Sequence, residues 1–205
     1  MSIRARLADE RGFTLAEQLV AMTVAVLVLG VVLLISQLFT TNAHTSGKLT
    51  QIEDESRRVM TQLVRAVRDA PTPTGARSPI AVVRSGDLIF AGRSAAGADI
   101  WLRYCVGGTN NDTLVRGETP RLSATLTDPG TVCPTASTGG WTYGKVFTPR
   151  QSHGGLVSAS LFTCDPSCTA NPVRSVAVRL ERRAPGNRTG VLTSAVSPRN
   201  FYVAS

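Results

Sequence analysis

The chain has 205 residues, of which 42% are hydrophobic and 18% charged, and its formal net charge is +8. This length allows one ordinary domain plus an appendage, and the composition excludes a disordered or very polar chain. The excess positive charge lies in residues 71–205, which contain 14 basic and 7 acidic residues. It favours either an Arg-rich solvated surface or contact with DNA, an acidic glycan or an anionic membrane.

The first predicted element is a short basic segment, residues 1–12, which contains Arg4, Arg6 and Arg11. A long apolar stretch follows it, and residues 18–47 contain no Asp, Glu, Lys or Arg. A helix that crosses a bilayer needs about 20 apolar residues, so we predict a transmembrane segment at about residues 18–39. The stretch is too long for the h-region of a secretory signal, which has about 7–15 residues.

Glu17 places a carboxylate at the start of this apolar stretch. A charge inside a membrane segment costs a few kcal/mol and usually has a partner. The string RGFTLAEQLVAM, residues 11–22, resembles the prepilin family, which comprises type IV pilins and the pseudopilins of type II secretion. The resemblance implies that a prepilin peptidase cleaves after Gly12 and N-methylates Phe13. It also implies that Glu17 pairs with the amine of Phe13 in a neighbouring subunit.

The sequence departs from the prepilin pattern in ways that favour a minor subunit. Ala16 stands where many members have a larger aliphatic residue, and Gln18 where a hydrophobic residue is more usual. The helix-breaking proline of major pilins is absent, since no proline precedes Pro71. The ending Ser197-Pro198-Arg199-Asn200-Phe201 is similar to the closing strand of J/W-type minor subunits.

A single long helix is predicted over residues 13–70, where there is no proline and the only glycines are Gly30 and Gly47. Its second half is amphipathic, because one face recurs at spacings of three and four residues: Leu49, Ile52, Ser56, Val59, Leu63 and Val67. This face must pack on another element, and a β domain is the expected partner. Pro71 and Pro73 end the helix.

Residues 71–205 are predicted to form an extracytoplasmic β domain, so that the fold class is α+β: a long helix packed on a small antiparallel sheet, as in pilins. Residues 107–155 are glycine-rich and are predicted to be an irregular loop region. A hairpin is expected around Pro185-Gly186-Asn187. The predicted strands are short β-prone runs between turn residues: Ile80–Val83, Leu88–Ala91, Ile100–Val106, Leu114–Arg116, Leu156–Phe162, Val173–Glu181 and Val191–Val196.

All four cysteines follow residue 100, and an even number after a membrane anchor suggests disulfides formed in an oxidising compartment. Four cysteines allow three pairings. The turn-forming Asp-Pro-Ser between Cys164 and Cys168 favours their pairing, which leaves Cys105 with Cys133. With no CxxC motif and only two histidines, zinc binding is not expected.

Catalytic motifs are missing from the sequence, so we expect no enzyme activity, no cofactor and no metal. His153-Gly154-Gly155 is similar to an oxyanion loop of esterases, but no nucleophile motif accompanies it, and a turn is the simpler interpretation. Trp101, Tyr104 and Trp141 are candidates for stacking on bases or sugars. Such aromatic residues more commonly pack in a core.

Taken with the resemblance, these features predict a minor pilin or pseudopilin that polymerises into, or primes, a type IV pilus-like fibre for pilus biogenesis, type II secretion or DNA uptake. The basic leader places the N-terminus in the cytoplasm, with a single pass of the inner membrane and a periplasmic or surface-exposed β domain. The implied partners are other pilin subunits, the prepilin peptidase and an inner-membrane assembly platform. One alternative is a tip subunit that binds DNA for competence, and another is a membrane-anchored extracytoplasmic enzyme.

Overall fold

A computed structural model describes residues 14–74, 76, 78–108, 110–120, 126, 128–134, 136–137, 139–147, 154–165, 167–168, 173–185 and 188–199. The chain divides into two compact units, Met1–Gly47 and Lys48–Ser205. One helix, α1 (Leu15–Arg68), contributes residues to both units. The prediction of a single long helix is therefore confirmed, and neither Gly30 nor Gly47 interrupts it.

The part of α1 in the first unit is apolar and exposed all round. It contains an 18-residue window of mean hydropathy 2.9, none of it buried, which makes α1 the one helix among the described residues that is long and apolar enough to cross a membrane. Leu15 is 79% exposed and Phe39 is 72% exposed. A helix that is hydrophobic on every side is normally surrounded by lipid or by other protein.

The part of α1 in the second unit is amphipathic. Its buried residues are Ser56, Val59, Met60, Leu63 and Val67. All of them except Met60 belong to the face that the three- and four-residue spacing predicts. The helix ends before Pro71, and the backbone N–H of Arg199 donates to the carbonyl of Arg68 at 3.0 Å. This bond satisfies one of the carbonyls that a helix leaves free at its C-terminus.

Five strands form the larger antiparallel sheet, in the order β1-β2-β3-β4-β5. The strands of this sheet are β1 (Ile80–Arg84), β2 (Asp87–Arg93), β3 (Asp99–Gly107), β4 (Thr113–Pro120) and β5 (Thr142–Phe147). A tight turn joins β1 to β2, with Arg84 opposite Asp87. The β2 and β3 strands are buried almost continuously, which indicates that both faces of the sheet are covered.

Three strands form a second antiparallel sheet, in the order β6-β7-β8. Its strands are β6 (Phe162–Asp165), β7 (Ser175–Ala184) and β8 (Arg188–Val196). The long β7–β8 pairing runs from Val176 opposite Val196 to Ala184 opposite Arg188, which confirms the predicted hairpin. Buried and exposed residues alternate along β7, as expected for a sheet with one face on a core and one in solvent.

The main core lies between α1 and the two sheets. Val59, Leu63 and Val67 of α1 belong to one buried cluster with Phe90 and Leu102 of the larger sheet and with residues of the smaller sheet. A smaller cluster covers the opposite face of the larger sheet, where Ile89, Ala91, Trp101 and Trp141 pack together. The fold class is therefore α+β, as predicted: a long helix packed against antiparallel sheets.

Two predictions for the β domain are wrong. Leu156–Phe162 is not a strand, because it forms only one bridge, Leu156 to Arg182, before β6 begins at its last residue. The region 107–155 is not wholly irregular either, since both β4 and β5 lie in it. The proposed closing strand at the C-terminus is also not seen in its described part, residues 197–199, which follow β8 without continuing it.

Candidate assembly site

The carboxylate of Glu17 lies at the first turn of α1, where it closes the end of its own helix. Its Oε2 accepts hydrogen bonds from the backbone N–H and the hydroxyl of Thr14, each at 3.0 Å, and the N–H of Glu17 donates to Oγ1 of Thr14 at 3.3 Å. This reciprocal pattern is a capping box, with Thr14 as the N-cap and Glu17 three residues on. Gly12 and Phe13, the predicted processing residues, lie outside the described residues.

An apolar surface surrounds Glu17. On one face of the helix, Ala16, Ala21 and Ala25 leave a shallow depression beside Glu17, bordered by Val20 and Val24. Small residues of this kind allow another helix to approach closely in a membrane. Because the carboxylate is the single ionic group of this surface, it is also the group that can fix the position of a partner along the helix.

Two disulfides brace the second unit. Cys105 on β3 is bonded to Cys133, 28 residues further on, and Cys164 on β6 to Cys168, four residues further on. Both predicted pairs are therefore present, and no described cysteine is free. The first bridge holds the 128–134 segment to the larger sheet, and the second closes a small loop after β6.

A buried ion pair lies beside the first disulfide. Arg103 of β3 is fully buried and donates from Nε to Oδ1 of Asp87 at 2.9 Å and from Nη2 to Oδ2 at 2.7 Å. The guanidinium also donates to the carbonyls of Gly130 and Val132 and to the hydroxyl of Tyr143. A buried charge is tolerated when a counter-charge and further hydrogen bonds compensate it in this way.

The rim of this cluster is more exposed. Arg84 pairs with Asp128 and also contacts Asp87. The hydrogen bond from Arg84, followed by one from the backbone N–H of Gly130, lowers the pKa of Asp128. Burial raises the pKa of Asp87, and the hydrogen bonds from Arg103 act in the opposite direction. The cluster therefore anchors the 128–134 segment to the larger sheet through Arg84 and Arg103.

A second buried arginine joins α1 to the smaller sheet. Arg182 of β7 donates from Nη2 to Glu55 at 2.9 Å and from Nη1 to the hydroxyl of Ser56 at 3.1 Å. Its Nε donates to the carbonyl of Gly154 at 2.7 Å. The guanidinium carbon also lies 4.1 Å from the ring centre of Phe147, as a cation–π contact.

The aromatic candidates for base or sugar stacking lie in the interior. Trp101 is 4% exposed, Tyr104 5% and Trp141 6%. Tyr104 stacks on Phe90, and Trp141 on Tyr143, so these rings pack in the cores. Among the described residues, no group of three or more His, Cys, Asp and Glu could hold a metal ion. His153 lies outside the described residues.

Sequence reasoning missed Arg103, Arg182 and Asp87 as structural residues. A signal existed for Arg103, because it is the only charged residue in the apolar run Ile100–Val106, and a charge in a buried strand needs a partner. Arg182 carries no such signal, since it stands among Arg179, Glu181 and Arg183. Only the fold distinguishes it from its exposed neighbours.

The described part of the chain is an α+β protein with one helix that is apolar enough to cross a membrane, and with a disulfide-braced β domain. This architecture is compatible with a pilin-like fold. No protein-family model, no characterised protein and no solved structure matches the chain.

Proposed function

We propose that this chain is a minor pilin or pseudopilin, which polymerises into or primes a type IV pilus-like fibre. The observation that carries the proposal is a lone carboxylate, Glu17, at the first turn of an exposed apolar helix. The prepilin-like string around it and the disulfide-braced α+β domain further along the chain support the same function. In this proposal the protein contributes a helix, a charge pair and a lateral surface, and has no catalytic role.

The proposed assembly begins with the precursor in the inner membrane, with residues 1–12 in the cytoplasm. The prepilin peptidase cleaves after Gly12 and methylates Phe13. The inner-membrane platform then transfers the subunit into a fibre, where helices pack in the core. There Glu17 exchanges its bonds with Thr14 for the amine of Phe13 in a neighbouring subunit, because an ionised donor makes a stronger hydrogen bond than a neutral one.

The two roles of Glu17 can be separated by substitution. Gln also serves at this position of a capping box, so Glu17→Gln keeps the cap and removes the charge, whereas Glu17→Ala removes both. We expect both variants to be processed but to be missing from the fibre fraction sheared from cells. Glu53→Gln, an exposed carboxylate of the same helix, is the matched control. Normal incorporation of Glu17→Gln would contradict charge pairing.

DNA binding by a tip subunit is the second candidate function. The observation that favours it is the solvent face of β7, where Arg179 and Arg183 are exposed on the same side of the strand. Contacts with phosphates would make binding weaken steeply as salt rises. The test is binding of the full chain in detergent to duplex DNA, with Arg179→Glu/Arg183→Glu as the variant. Undiminished binding by this double variant, or none at low salt, would exclude this surface.

A further inference from the structure

A groove of about 600 Å³ lies within the second unit, between α1 and the outer strands of the larger sheet. Glu55, Arg58, Val59 and Gln62 of α1 form one wall. The size is within the range of about 300–1,000 Å³ that is typical of binding clefts. On the other side, the groove is lined by Tyr104, Arg116, Glu118, Thr142, Tyr143, Gly144, Lys145 and Val146.

The strand that borders the groove has a free edge. β5 is the last strand of its sheet, and no described strand pairs with its outer side. Five consecutive residues of β5, from Thr142 to Val146, line the groove. Alternate side chains of a strand point to opposite faces, so five consecutive residues can line one groove only if some of them do so through their backbone. The groove therefore offers unpaired strand N–H and C=O groups to an extended chain.

Gly144 leaves space on the α1 side of the sheet, into which a side chain of such an added strand would fit. It lies opposite Arg116, which in turn lies opposite Tyr104, so these three positions share the face of the sheet that packs on α1. A Cβ atom added at Gly144 meets no atom within 4 Å. Its φ angle is not in the left-handed region, and a side chain there would therefore fill the groove without backbone strain.

The hydroxyl of Tyr104 is the second notable feature of this groove. The side chain is 95% buried, since its residue is 5% exposed, and no described residue forms a hydrogen bond with its hydroxyl. With no partner among the described residues, the hydroxyl has a hydrogen bond to donate to a group that enters the groove. Burial raises the pKa of Tyr104, which keeps the hydroxyl protonated and able to donate.

The charges of the groove favour an anionic group. Glu55 is bound by Arg182, and Arg116 and Glu118 pair with each other. Arg58 also lines the groove, and no described residue forms an ion pair with it. A carboxylate placed here would meet the guanidinium of Arg58 and the hydroxyl of Tyr104, both of which form strong bonds with an ionised acceptor.

We propose that the groove between α1 and β5 binds an extended acidic peptide, which adds to the free edge of β5 and places a carboxylate against Arg58 and Tyr104. A peptide is favoured over an acidic glycan, because only a peptide backbone satisfies the free edge of the strand. This site does not depend on the function of Glu17 and is separate from the apolar helix surface.

The test uses the full chain in detergent micelles and a phage-displayed library of random dodecapeptides. We expect the enriched peptides to combine β-prone residues with a Glu or Asp. Gly144→Trp, which fills the groove, should weaken their binding more than tenfold, and so should Arg58→Glu. Arg57→Glu, the same charge change at an exposed neighbour that does not line the groove, should leave the affinity within about twofold.

Tyr104→Phe separates binding from folding. It retains the ring that stacks on Phe90 and removes only the hydroxyl. We expect it to weaken peptide binding by on the order of tenfold, with thermal stability equal to or above that of the unmodified chain. Failure to enrich acidic peptides, or their equal binding to Gly144→Trp, would overturn the proposal. Binding of oligouronates but not of acidic peptides, with Gly144→Trp abolishing it, would also overturn the proposal.

Discussion

Arg182 of β7 and Glu55 of α1 form an ion pair that joins the helix to the smaller sheet, with 2.9 Å between Nη2 and Oε2. The arginine side chain is 3% exposed and that of the glutamate 42%. Nη1 of Arg182 donates to the hydroxyl of Ser56, and Nε donates to the carbonyl of Gly154. One buried guanidinium therefore connects three segments that are far apart in the sequence.

Arg182→Met is expected to lower the free energy of unfolding by about 2–3 kcal/mol, because it leaves the buried hydroxyl of Ser56 and the carbonyl of Gly154 without their donor and removes the contact with Phe147. Urea denaturation of the full chain in detergent measures the change. Arg179→Met, on the exposed face of the same strand, should cost less than about 0.5 kcal/mol. Equal effects of the two substitutions would refute the role of Arg182.

Asp87→Asn should be one of the most destabilising conservative substitutions in the β domain. It leaves the fully buried guanidinium of Arg103 without its counter-charge, and we expect a cost of about 3–5 kcal/mol. Asp99→Asn is the matched control, because its pair with Arg93 is exposed and such pairs contribute about 0–1 kcal/mol. Denaturant midpoints compare the two, and a small effect at Asp87 would contradict the structure.

The two disulfides are expected to contribute unequally. Loop entropy predicts a loss of about 3.6 kcal/mol when the Cys105–Cys133 bridge, which spans 28 residues, is replaced by alanines, and about 2 kcal/mol for Cys164–Cys168, which spans four. The first replacement should also expose the 128–134 segment to proteolysis, since that bridge holds it to β3. If cleavage appeared first near Cys168, and not in the 128–134 segment, this ranking of the two disulfides would be contradicted.

The stability of the β domain should decline at alkaline pH because of Tyr104. Burial raises its pKa above the ordinary value of 10.0. Between that value and the raised pKa, the unfolded chain releases a phenolic proton that the folded chain keeps, so the free energy of unfolding falls as pH rises. Tyr104→Phe should remove this part of the slope and leave stability at pH 7 nearly unchanged. An identical alkaline slope in the variant would show that Tyr104 is not buried.

The elements with strong periodicity were predictable from the sequence. The amphipathic half of α1 and the β7–β8 hairpin show clear three- to four-residue and two-residue patterns. β5 was not predictable, because Gly144 and Lys145 interrupt its β-prone residues and an edge strand needs no alternation. The run Leu156–Phe162 was misleading because it lies beside β7 without forming a regular ladder. The N–H of Val157 donates to the carbonyl of Glu181, and the run forms one isolated bridge, Leu156 to Arg182.

The candidate sites also differ in how far the sequence predicts them. Glu17 was identifiable from the sequence, because it is a carboxylate directly before 30 residues that include no Asp, Glu, Lys or Arg. Its capping bond with Thr14 also has a sequence signature, the Thr-x-x-Glu spacing. The groove beside β5 has no such signature, since it joins residues of α1, β3, β4 and β5, which meet only through strand order and register.

Intact mass of the protein from native membranes, with and without the prepilin peptidase, tests the central claim most directly. We expect the mass of a chain that begins at Phe13 and carries one added methyl group. Without the peptidase, the mass should be that of the unprocessed, unmethylated chain. An uncut chain in the presence of the peptidase, or cleavage after the apolar stretch, would contradict the assignment to the pilin pathway.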